Sequence, residues 1–527
     1  MILHCYMKPS KIGSAIAFIT AFALLLPPVS HTQTAQGSPS PQDSQQPEKL
    51  STVLRANTRL VVLDAIAVDE RGNPVTDLKQ EDFTVLEDGK PQKISSFSFQ
   101  RPTTAAPPAR SLAPGVVTNA PQYGSSSLNI ILLDAINTDF SNHAYAQDML
   151  IKYLETGPAV QPTAVFALEG KLTMLHDFTT DTRALRDAVA NFKPQGPTHI
   201  ATVEAAASPF SRRGSFQTSP LGRTVTFNAM TFLAKALAGY PGRKNLIWLS
   251  EGFPISLFPE VNMDGGTAMI EDYSPLVEKI ADDLMNAQVA LYPIDAAGVS
   301  INDRFSSRTA MVSMAQRTGG KTFYNRNDID MGVRTSIDDG ATYYNLTYYS
   351  QNHNWDNKFR HVELKLARSG VHLRYREGYY AQAPDTKEDP ASLAREFTEA
   401  MLLDAPPSTG VLFQAAAVLP AGQAGNNVAV NFAVDPHTLS FERDQDDLQH
   451  ADVTCSVAAY PSKGDTVRTE HRVKAAFKAD VYQQVQRSYF PCKNALTLKP
   501  GKYRLRLGVL DMTTNSIGTT TTQITVP

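Results

Sequence analysis

The sequence predicts an α/β fold class, a doubly wound α/β domain inserted into a β-domain and followed by a C-terminal β-sandwich. Three stretches predict this order. Residues 52–100 alternate apolar and polar side chains, residues 127–341 alternate short apolar runs with helix-spaced segments, and residues 406–527 return to a β pattern. Alternating strands and helices favour a mostly parallel sheet with helices on both faces. A chain of 527 residues is long enough for about three or four domains.

Residues 1–35 have the order of a secretory signal peptide. Lys8 and Lys11 precede an apolar stretch from about Ala15 to Leu26, and two prolines follow it. This run is shorter than the ~20 residues that a membrane span needs, so we expect no transmembrane span once the signal is removed. An uncleaved anchor is the alternative. The signal-peptide pattern predicts an exported protein, located in the periplasm, in the cell envelope or outside the cell.

Composition narrows the class of partner. Lys and Arg number 49 and Asp and Glu number 52, a formal net charge of -3, which argues against a nucleic-acid surface.

Residues 36–51 are rich in Gln, Ser and Pro, which predicts a disordered linker. We expect most acidic residues on the helices to be solvated or to cap helix ends, and these are Asp181, Asp187, Asp282 and Asp283.

The β pattern divides into three parts. Residues 52–100 carry turn sequences at 71–74 and 87–90 and predict the first half of a β-domain. Residues 101–126 predict a Pro/Ala linker, and the Tyr-rich residues 342–382 predict the second half of the same β-domain. Residues 383–405 predict a linker helix, and residues 406–527 predict an immunoglobulin-like sandwich.

Two cysteines remain if the signal peptide is removed. They are Cys455 and Cys492, both in β-like sequence. A disulfide is expected between them in an oxidising compartment, and two buried thiols are the alternative. Their separation, with no His at ligand spacing nearby, excludes a zinc site.

Oxygen-bearing side chains follow several strands of the predicted α/β domain. In "LNIILLDAINTDF" the first strand ends at Asp134, and the strand "NLIWL" is followed by Ser250 and Glu251. The strand "VALYPI" is followed by Asp295. Ligands bind beyond the carboxyl ends of the strands in open α/β sheets, and hard oxygen donors suit Mg²⁺ or Ca²⁺.

The motifs around this edge resemble those of von Willebrand factor type A-related exported proteins of the acidobacterial type. The resemblance covers about Thr52 to Ala381 and is carried by "VTDLKQEDFTVLEDGKPQKISSF", "LLDAINTDF", "GRKNLIWLSEGFP", "YPIDAAGV", "RTGGKTFYN" and "VHLRYREGYYA". It implies a type A fold in which an Asp-x-Ser-x-Ser motif, a loop Thr and a further Asp hold a divalent metal.

The implied metal motif is degenerate in this chain. Asp134 matches the first Asp, but Ile136 stands at the first Ser and cannot ligate. The other implied ligands are Thr138 at the second Ser, Thr198 as the loop Thr, Glu251 in place of the second Asp, and Asn137, whose amide oxygen can compensate. The implied ion is Mg²⁺, with Ca²⁺ or Mn²⁺ as alternatives. The competing interpretation is that Asp134 caps the following turn and bonds Thr138 or Thr198.

Three functions follow from these observations. The first is non-catalytic, adhesion-type recognition of an unknown protein, in which the metal meets an acidic residue of the partner. The second is a metal-free structural protein of the envelope. The third is an α/β-hydrolase with Ser250 as nucleophile, Asp295, and His353 or His361, although Trp248 stands where the nucleophile turn needs Gly. Under the first, Asp134→Ala is expected to abolish Mg²⁺-linked stabilisation without unfolding the protein.

Overall fold

The computed structural model describes most of the chain from Leu60 onward. The described residues are 60–101, 112–121, 127–157, 161–194, 220–253, 260–264, 267–271, 273–299, 305–356, 358–381, 389–419 and 427–527. The predicted signal peptide (1–35) and the predicted disordered linker (36–51) lie outside them. Within these ranges, no helix combines the length and the hydropathy that crossing a membrane requires.

The described residues form strands β1 to β24, helices α1 to α8 and two short 3₁₀ helices. The strands are β1 (Leu60–Asp69), β2 (Phe83–Glu87), β3 (Lys90–Gln92), β4 (Ile94–Gln100), β5 (Val116–Thr118), β6 (Leu128–Asp134), β7 (Thr163–Leu168), β8 (Leu172–Thr179), β9 (Lys244–Ser250), β10 (Glu260–Asp264), β11 (Thr267–Glu271), β12 (Val289–Asp295), β13 (Tyr343–Tyr349), β14 (Phe359–Leu366), β15 (Val371–Arg374), β16 (Gly378–Tyr380), β17 (Phe413–Val418), β18 (Asn427–Val434), β19 (Glu442–Arg443), β20 (Gln449–Pro461), β21 (Val467–Phe477), β22 (Phe490–Thr497), β23 (Gly501–Asp511) and β24 (Ser516–Val526). The α-helices are α1 (Phe140–Thr156), α2 (Thr182–Asn191), α3 (Pro220–Leu237), α4 (Ser274–Asn286), α5 (Phe305–Thr318), α6 (Ile329–Ala341), α7 (Pro390–Ala400) and α8 (Ala479–Gln486).

A five-stranded sheet in the order β12-β9-β6-β7-β8 forms the centre of the α/β domain. The first four strands are parallel, and β8 runs antiparallel to β7 at one edge. Helices α3, α4 and α5 pack on one face, and α1, α2 and α6 pack on the other. Every residue of the four parallel strands is therefore buried, which explains their continuous apolar sequences. The predicted doubly wound α/β domain is confirmed.

Strands from before and after the α/β domain pair with each other. β1 is antiparallel to both β13 and β15, and β2 is antiparallel to β14. Two four-stranded sheets result, in the orders β15-β1-β13-β4 and β16-β14-β2-β3, and a shared apolar core lies between them. The α/β domain is thus inserted into a β-domain. The chain enters the α/β domain from one half of the β-domain and leaves it into the other half.

Two sheets pack face to face in the C-terminal region. Their orders are β22-β18-β17-β5 and β19-β20-β23-β24, with β21 beside β20. Their inner faces share one apolar core, to which Phe432 and Leu507 contribute from opposite sheets. A disulfide joins Cys455 on β20 to Cys492 on β22, with the two Cα atoms 6.6 Å apart. The disulfide therefore connects the two sheets through the core.

Part of the segment expected to be a Pro/Ala linker forms a strand in this sandwich. Val116–Thr118 is β5, which pairs antiparallel with β17. The side chain of Asn119 donates to the carbonyls of Ser408 and Val411 at 2.9 and 2.7 Å, and it accepts from the Phe413 amide at 2.8 Å. Asn119 is buried, so these bonds replace the water that it loses. The expectation of a linker throughout residues 101–126 missed this strand.

Asp282 on α4 is not solvated as expected but only 5% exposed. Burial, reinforced by the charge of Asp283, raises the pKa of its carboxyl from 3.8 to about 8. A carboxyl whose folded pKa lies above its unfolded pKa stabilises the fold at low pH, and this contribution is lost as the pH rises through the folded pKa.

Replacing Asp282 with Asn is therefore expected to stabilise the protein increasingly as the pH rises. Between pH 5 and 8, the gain in free energy of unfolding over wild type should grow by on the order of 2 kcal/mol. Urea unfolding at both pH values measures it. Asp187→Asn, on the exposed face of α2, is the control and should show no such trend. A gain for Asp282→Asn that is the same at both pH values would contradict this account.

Candidate functional site

Three of the parallel strands deliver polar residues to one edge of the sheet. Asp134 is the last residue of β6, Ser250 ends β9, and Asp295 ends β12. The strands are in register, since Ser250 pairs with Asp295 and Leu249 pairs with Leu133. The structure thus brings these side chains to the carboxyl edge of the sheet, where the sequence predicted them.

Asp134 is fully buried and accepts five hydrogen bonds. Its Oδ1 accepts from the backbone amides of Ile136 at 3.1 Å and Asn137 at 2.9 Å. Its Oδ2 accepts from Asn137 Nδ2 at 2.8 Å, Trp248 Nε1 at 2.9 Å and Ser250 Oγ at 2.8 Å. Burial raises the pKa of this carboxyl, and the hydrogen bonds from Asn137, Ser250 and Trp248 oppose the rise. Both carboxylate oxygens are thus saturated by protein donors.

Asn137 presents its amide nitrogen, not its amide oxygen, to Asp134. The same Nδ2 also donates to Thr226 Oγ1 on α3 at 2.8 Å, and Thr226 donates in turn to the Gly222 carbonyl at 2.9 Å. Since the hydroxyl hydrogen of Thr226 is used on Gly222, only a donor fits opposite it, which fixes the orientation of the amide. Asn137 Oδ1 is buried and has no hydrogen-bond partner among the described residues.

Thr138 and Glu251 connect the two loops that follow β6 and β9. The Glu251 amide donates to Thr138 Oγ1 at 3.1 Å, and Glu251 Oε2 accepts from the Asp139 amide at 2.8 Å. Both side chains are buried, and each is hydrogen-bonded to the backbone of the opposite loop. Thr198, the remaining predicted ligand, lies outside the described residues.

The described residues do not fit the predicted metal site. A divalent cation needs oxygen ligands at roughly 2.0–2.6 Å, whereas N–H and O–H groups converge on Asp134 and present partial positive charge to it. Asn137 turns a donor towards the carboxylate, and Ile136 packs against the apolar core. In the described ranges there is also no cluster of three or more His, Cys, Asp or Glu side chains that could hold a metal ion.

The hydrolase alternative needs a histidine beside Ser250, and both candidate histidines lie in the β-domain. Ser250 is fully buried, and its hydroxyl contacts Asp134 and the Gly252 carbonyl, at 2.8 and 3.0 Å. Asp295 accepts from the Ala297 amide and forms an ion pair with Arg308 on α5 at 3.3 Å. His361 lies on β14 of the β-domain, and His353 lies in the loop before that strand. The Ser250 hydroxyl is therefore bonded to Asp134 and the Gly252 carbonyl and not to either candidate histidine.

Trp248 and Thr226 are the site residues that sequence reasoning did not assign to the site. In the sequence Trp248 stands only as an obstacle to a nucleophile turn, yet its indole is one of the three donors to Asp134 Oδ2. A signal was present in the sequence. A Trp inside a continuous apolar strand needs a partner for its N–H, and Trp248 lies on the same face of β9 as Ser250, two residues later.

Exposed apolar side chains also occur in segments that follow β6 and β12 in the α/β domain. Five of the thirteen large hydrophobic residues exposed in the described part of the chain lie in the loops after β12 and before α6 and in the first two turns of α1 and α6. We call them the edge patch, and they are Phe140 (61% exposed), Tyr145 (39%), Val299 (65%), Tyr324 (46%) and Met331 (44%). Asn327 links two of them, because its carbonyl accepts from the Tyr145 hydroxyl at 2.8 Å and its Oδ1 accepts from the Val299 amide at 3.0 Å.

No family model matches this chain, and no curated protein matches it. Solved structures do. The von Willebrand factor domain of the type V pili tip protein Mfa5 of Porphyromonas gingivalis is 12% identical, with 42% of this chain and 97% of that chain covered and a TM-score of 0.25. A von Willebrand factor type A protein of Catenulispora acidiphila is 10% identical, with 85% and 74% covered and a TM-score of 0.24. Manganese-loaded TRAP of Plasmodium vivax is 13% identical, with 50% and 96% covered and a TM-score of 0.23.

The structural neighbours are von Willebrand factor type A proteins, the family that the sequence motifs resemble. All these TM-scores are below 0.5. The acidobacterial type and the immunoglobulin-like type of the C-terminal sandwich remain sequence predictions.

Proposed function

We propose that this chain is an exported, non-catalytic protein that recognises a partner protein through the carboxyl edge of its α/β domain. The observation that carries the proposal is the edge patch. Large apolar residues gathered on one surface favour a protein interface, and aromatic residues and Met are enriched in such interfaces. Phe140, Tyr145, Tyr324 and Met331 are of these types.

The surroundings of the edge patch also suit recognition. The Arg308 guanidinium lies 5.7 Å from the centre of the Tyr324 ring, and Arg is another residue type enriched in interfaces. Directly before Phe140 in the chain, the bonds from the Glu251 amide to Thr138 and from the Asp139 amide to Glu251 hold two loops in place, which lowers the entropy lost on binding. An apolar contact with the partner is therefore favoured over the acidic contact that the sequence resemblance implied.

Two further observations support the other parts of the proposal. The buried disulfide between Cys455 and Cys492 is typical of proteins that fold in an oxidising compartment, which agrees with the predicted signal peptide. The buried hydroxyl of Ser250 is engaged by Asp134, which supports a structural role for this residue.

Photo-crosslinking in the producing cells tests the proposal. The photoreactive residue p-benzoylphenylalanine replaces Phe140 in one variant and Tyr489, a similarly exposed (52%) aromatic of the C-terminal region, in the control. We expect a protein adduct of one defined mass at position 140 and none at position 489. Adducts of the same kind at both positions, or none at position 140, would contradict recognition at this edge. Ester or peptide turnover that is lost in Ser250→Ala would support the hydrolase instead.

A further inference from the structure

We infer that the indole of Trp248, the amide of Asn137 and the hydroxyl of Ser250 take the place of a cation at Asp134, so that this domain binds its partner without a metal. The first half of the inference concerns the chain alone. The second half rests on the proposed function and deepens it, since it excludes a metal-bridged acidic residue as the contact with the partner.

The acceptor capacity of Asp134 is filled. A carboxylate offers about four lone-pair positions, and five donors at 2.8–3.1 Å surround this one. A cation could reach Asp134 Oδ2 only by displacing a buried N–H or O–H group. The displaced group would then lose its hydrogen bond in a fully buried position, so cation binding would carry that additional cost.

Contacts with neighbouring side chains restrict the orientation of Trp248 and Asn137. Trp248 is fully buried on β9, between β6 and β12, and its ring packs edge-to-face on Phe253 with 5.4 Å between the ring centres. The amide of Asn137 is held in orientation by Thr226. The network is therefore built for the carboxylate as it stands and is not an open set of ligands.

Hydrogen bonds also connect the two loops that a metal ion would be expected to connect. A cation at this edge would connect the loop after β6 to the loop after β9. Here the Glu251 amide bonds Thr138, and Glu251 Oε2 bonds the Asp139 amide. Ile136, at the position of a ligand in the resembled motif, packs against the core and so adds apolar contact where a hydroxyl would coordinate. The missing ligand at Ile136 and the hydrogen bonds that link the two loops thus support the same conclusion, an edge that is stable without an ion.

NMR of the two tryptophan indoles tests the metal half directly. The chain has only Trp248 and Trp355, so Trp355→Phe assigns both N–H signals in an ¹⁵N-labelled sample of the mature protein. The Trp248 signal should lie downfield because its N–H is bonded to a carboxylate, whereas Trp355 Nε1 has no partner among the described residues. Substoichiometric Mn²⁺, which broadens signals of nearby protons, is expected to leave the Trp248 signal sharp. Broadening of the Trp248 signal by Mn²⁺ while the Trp355 signal stays sharp would overturn the inference.

The partner half is tested with the crosslinking variant. The adduct at position 140 is expected to form to the same extent in EDTA as in millimolar Mg²⁺ or Ca²⁺. Loss of the adduct in EDTA would overturn metal-independent binding. If no adduct forms under any condition, the proposed function fails, while the Mn²⁺ experiment still decides whether Trp248 and its neighbours replace the ion.

Discussion

Replacing Asp134 with Ala is expected to lower the free energy of unfolding by about 3–5 kcal/mol. The substitution removes the acceptor for five donors in a fully buried position. Each donor left without a partner loses both its protein bond and its access to water, and bonds to a charged group are among the stronger ones. Urea unfolding followed by Trp fluorescence measures the loss, because the Trp248 indole bonds the carboxylate directly.

A matched variant tests the carboxylate group separately from the size and shape of the side chain. Asp134→Asn keeps the size of the side chain and one oxygen, but it turns an NH₂ group towards donors. We expect a loss as large as that of Asp134→Ala, because both variants leave buried N–H groups unsatisfied. Asp295→Asn at the same edge is a milder control, since Asp295 has an ion pair with the partly exposed Arg308. A loss under about 1 kcal/mol for Asp134→Ala would mean that the network relaxes and is not the structural centre of the edge.

This expectation revises the one drawn from the sequence. As a metal ligand, Asp134 was expected to be dispensable for folding, so that Asp134→Ala would abolish only a Mg²⁺-linked stabilisation. The difference comes from neighbours that are distant in sequence. Trp248 and Ser250 are 114 and 116 residues from Asp134, and Thr226 holds Asn137 across 89 residues. Position-by-position comparison with a motif says which ligands are missing, but not which donors have replaced the ion.

The sequence predicted the elements whose pattern depends on burial alone. Continuous apolar runs predicted β6, β9 and β12, and the polar residues at their ends predicted which edge would matter, because parallel strands place their carboxyl ends together. It also predicted, from the β pattern that returns after the α/β domain, that the strands on either side of this domain would pair.

Other features depend on partners that the local pattern does not carry. β5 lies in a Pro/Ala-rich segment and becomes a strand only because the edge of β17 is available to pair with it. The buried position of Asp282 depends on how α4 packs, since the same acidic pair at positions 282 and 283 would suit a solvated helix face. The orientation of the Asn137 amide depends on Thr226 from α3. In each case the feature depends on tertiary packing and could not be predicted from the local sequence.

Loss of the disulfide is the second change expected to have a large effect. Reducing Cys455–Cys492 with dithiothreitol, or replacing both with Ala, is expected to lower the free energy of unfolding of the C-terminal sandwich by roughly 3–4 kcal/mol. The two residues are 37 positions apart in sequence and belong to opposite sheets, so the bond removes much of the freedom of the unfolded chain. Urea unfolding of oxidised and reduced protein, followed by circular dichroism, measures the difference.

The double Ala variant is the control for the reductant, since dithiothreitol should not change its stability. The disulfide lies in the core shared by both sheets, and β5 from the region before the α/β domain is the edge strand of one of them. Weakening this sandwich therefore loosens a contact that joins distant parts of the chain, including the bonds of Asn119 to residues 408 and 411. An oxidised protein no more stable than the reduced one would show that the unfolded sandwich is already compact. It would also remove the structural support that the disulfide lends to export, because a bond without effect on stability gives no reason for folding in an oxidising compartment.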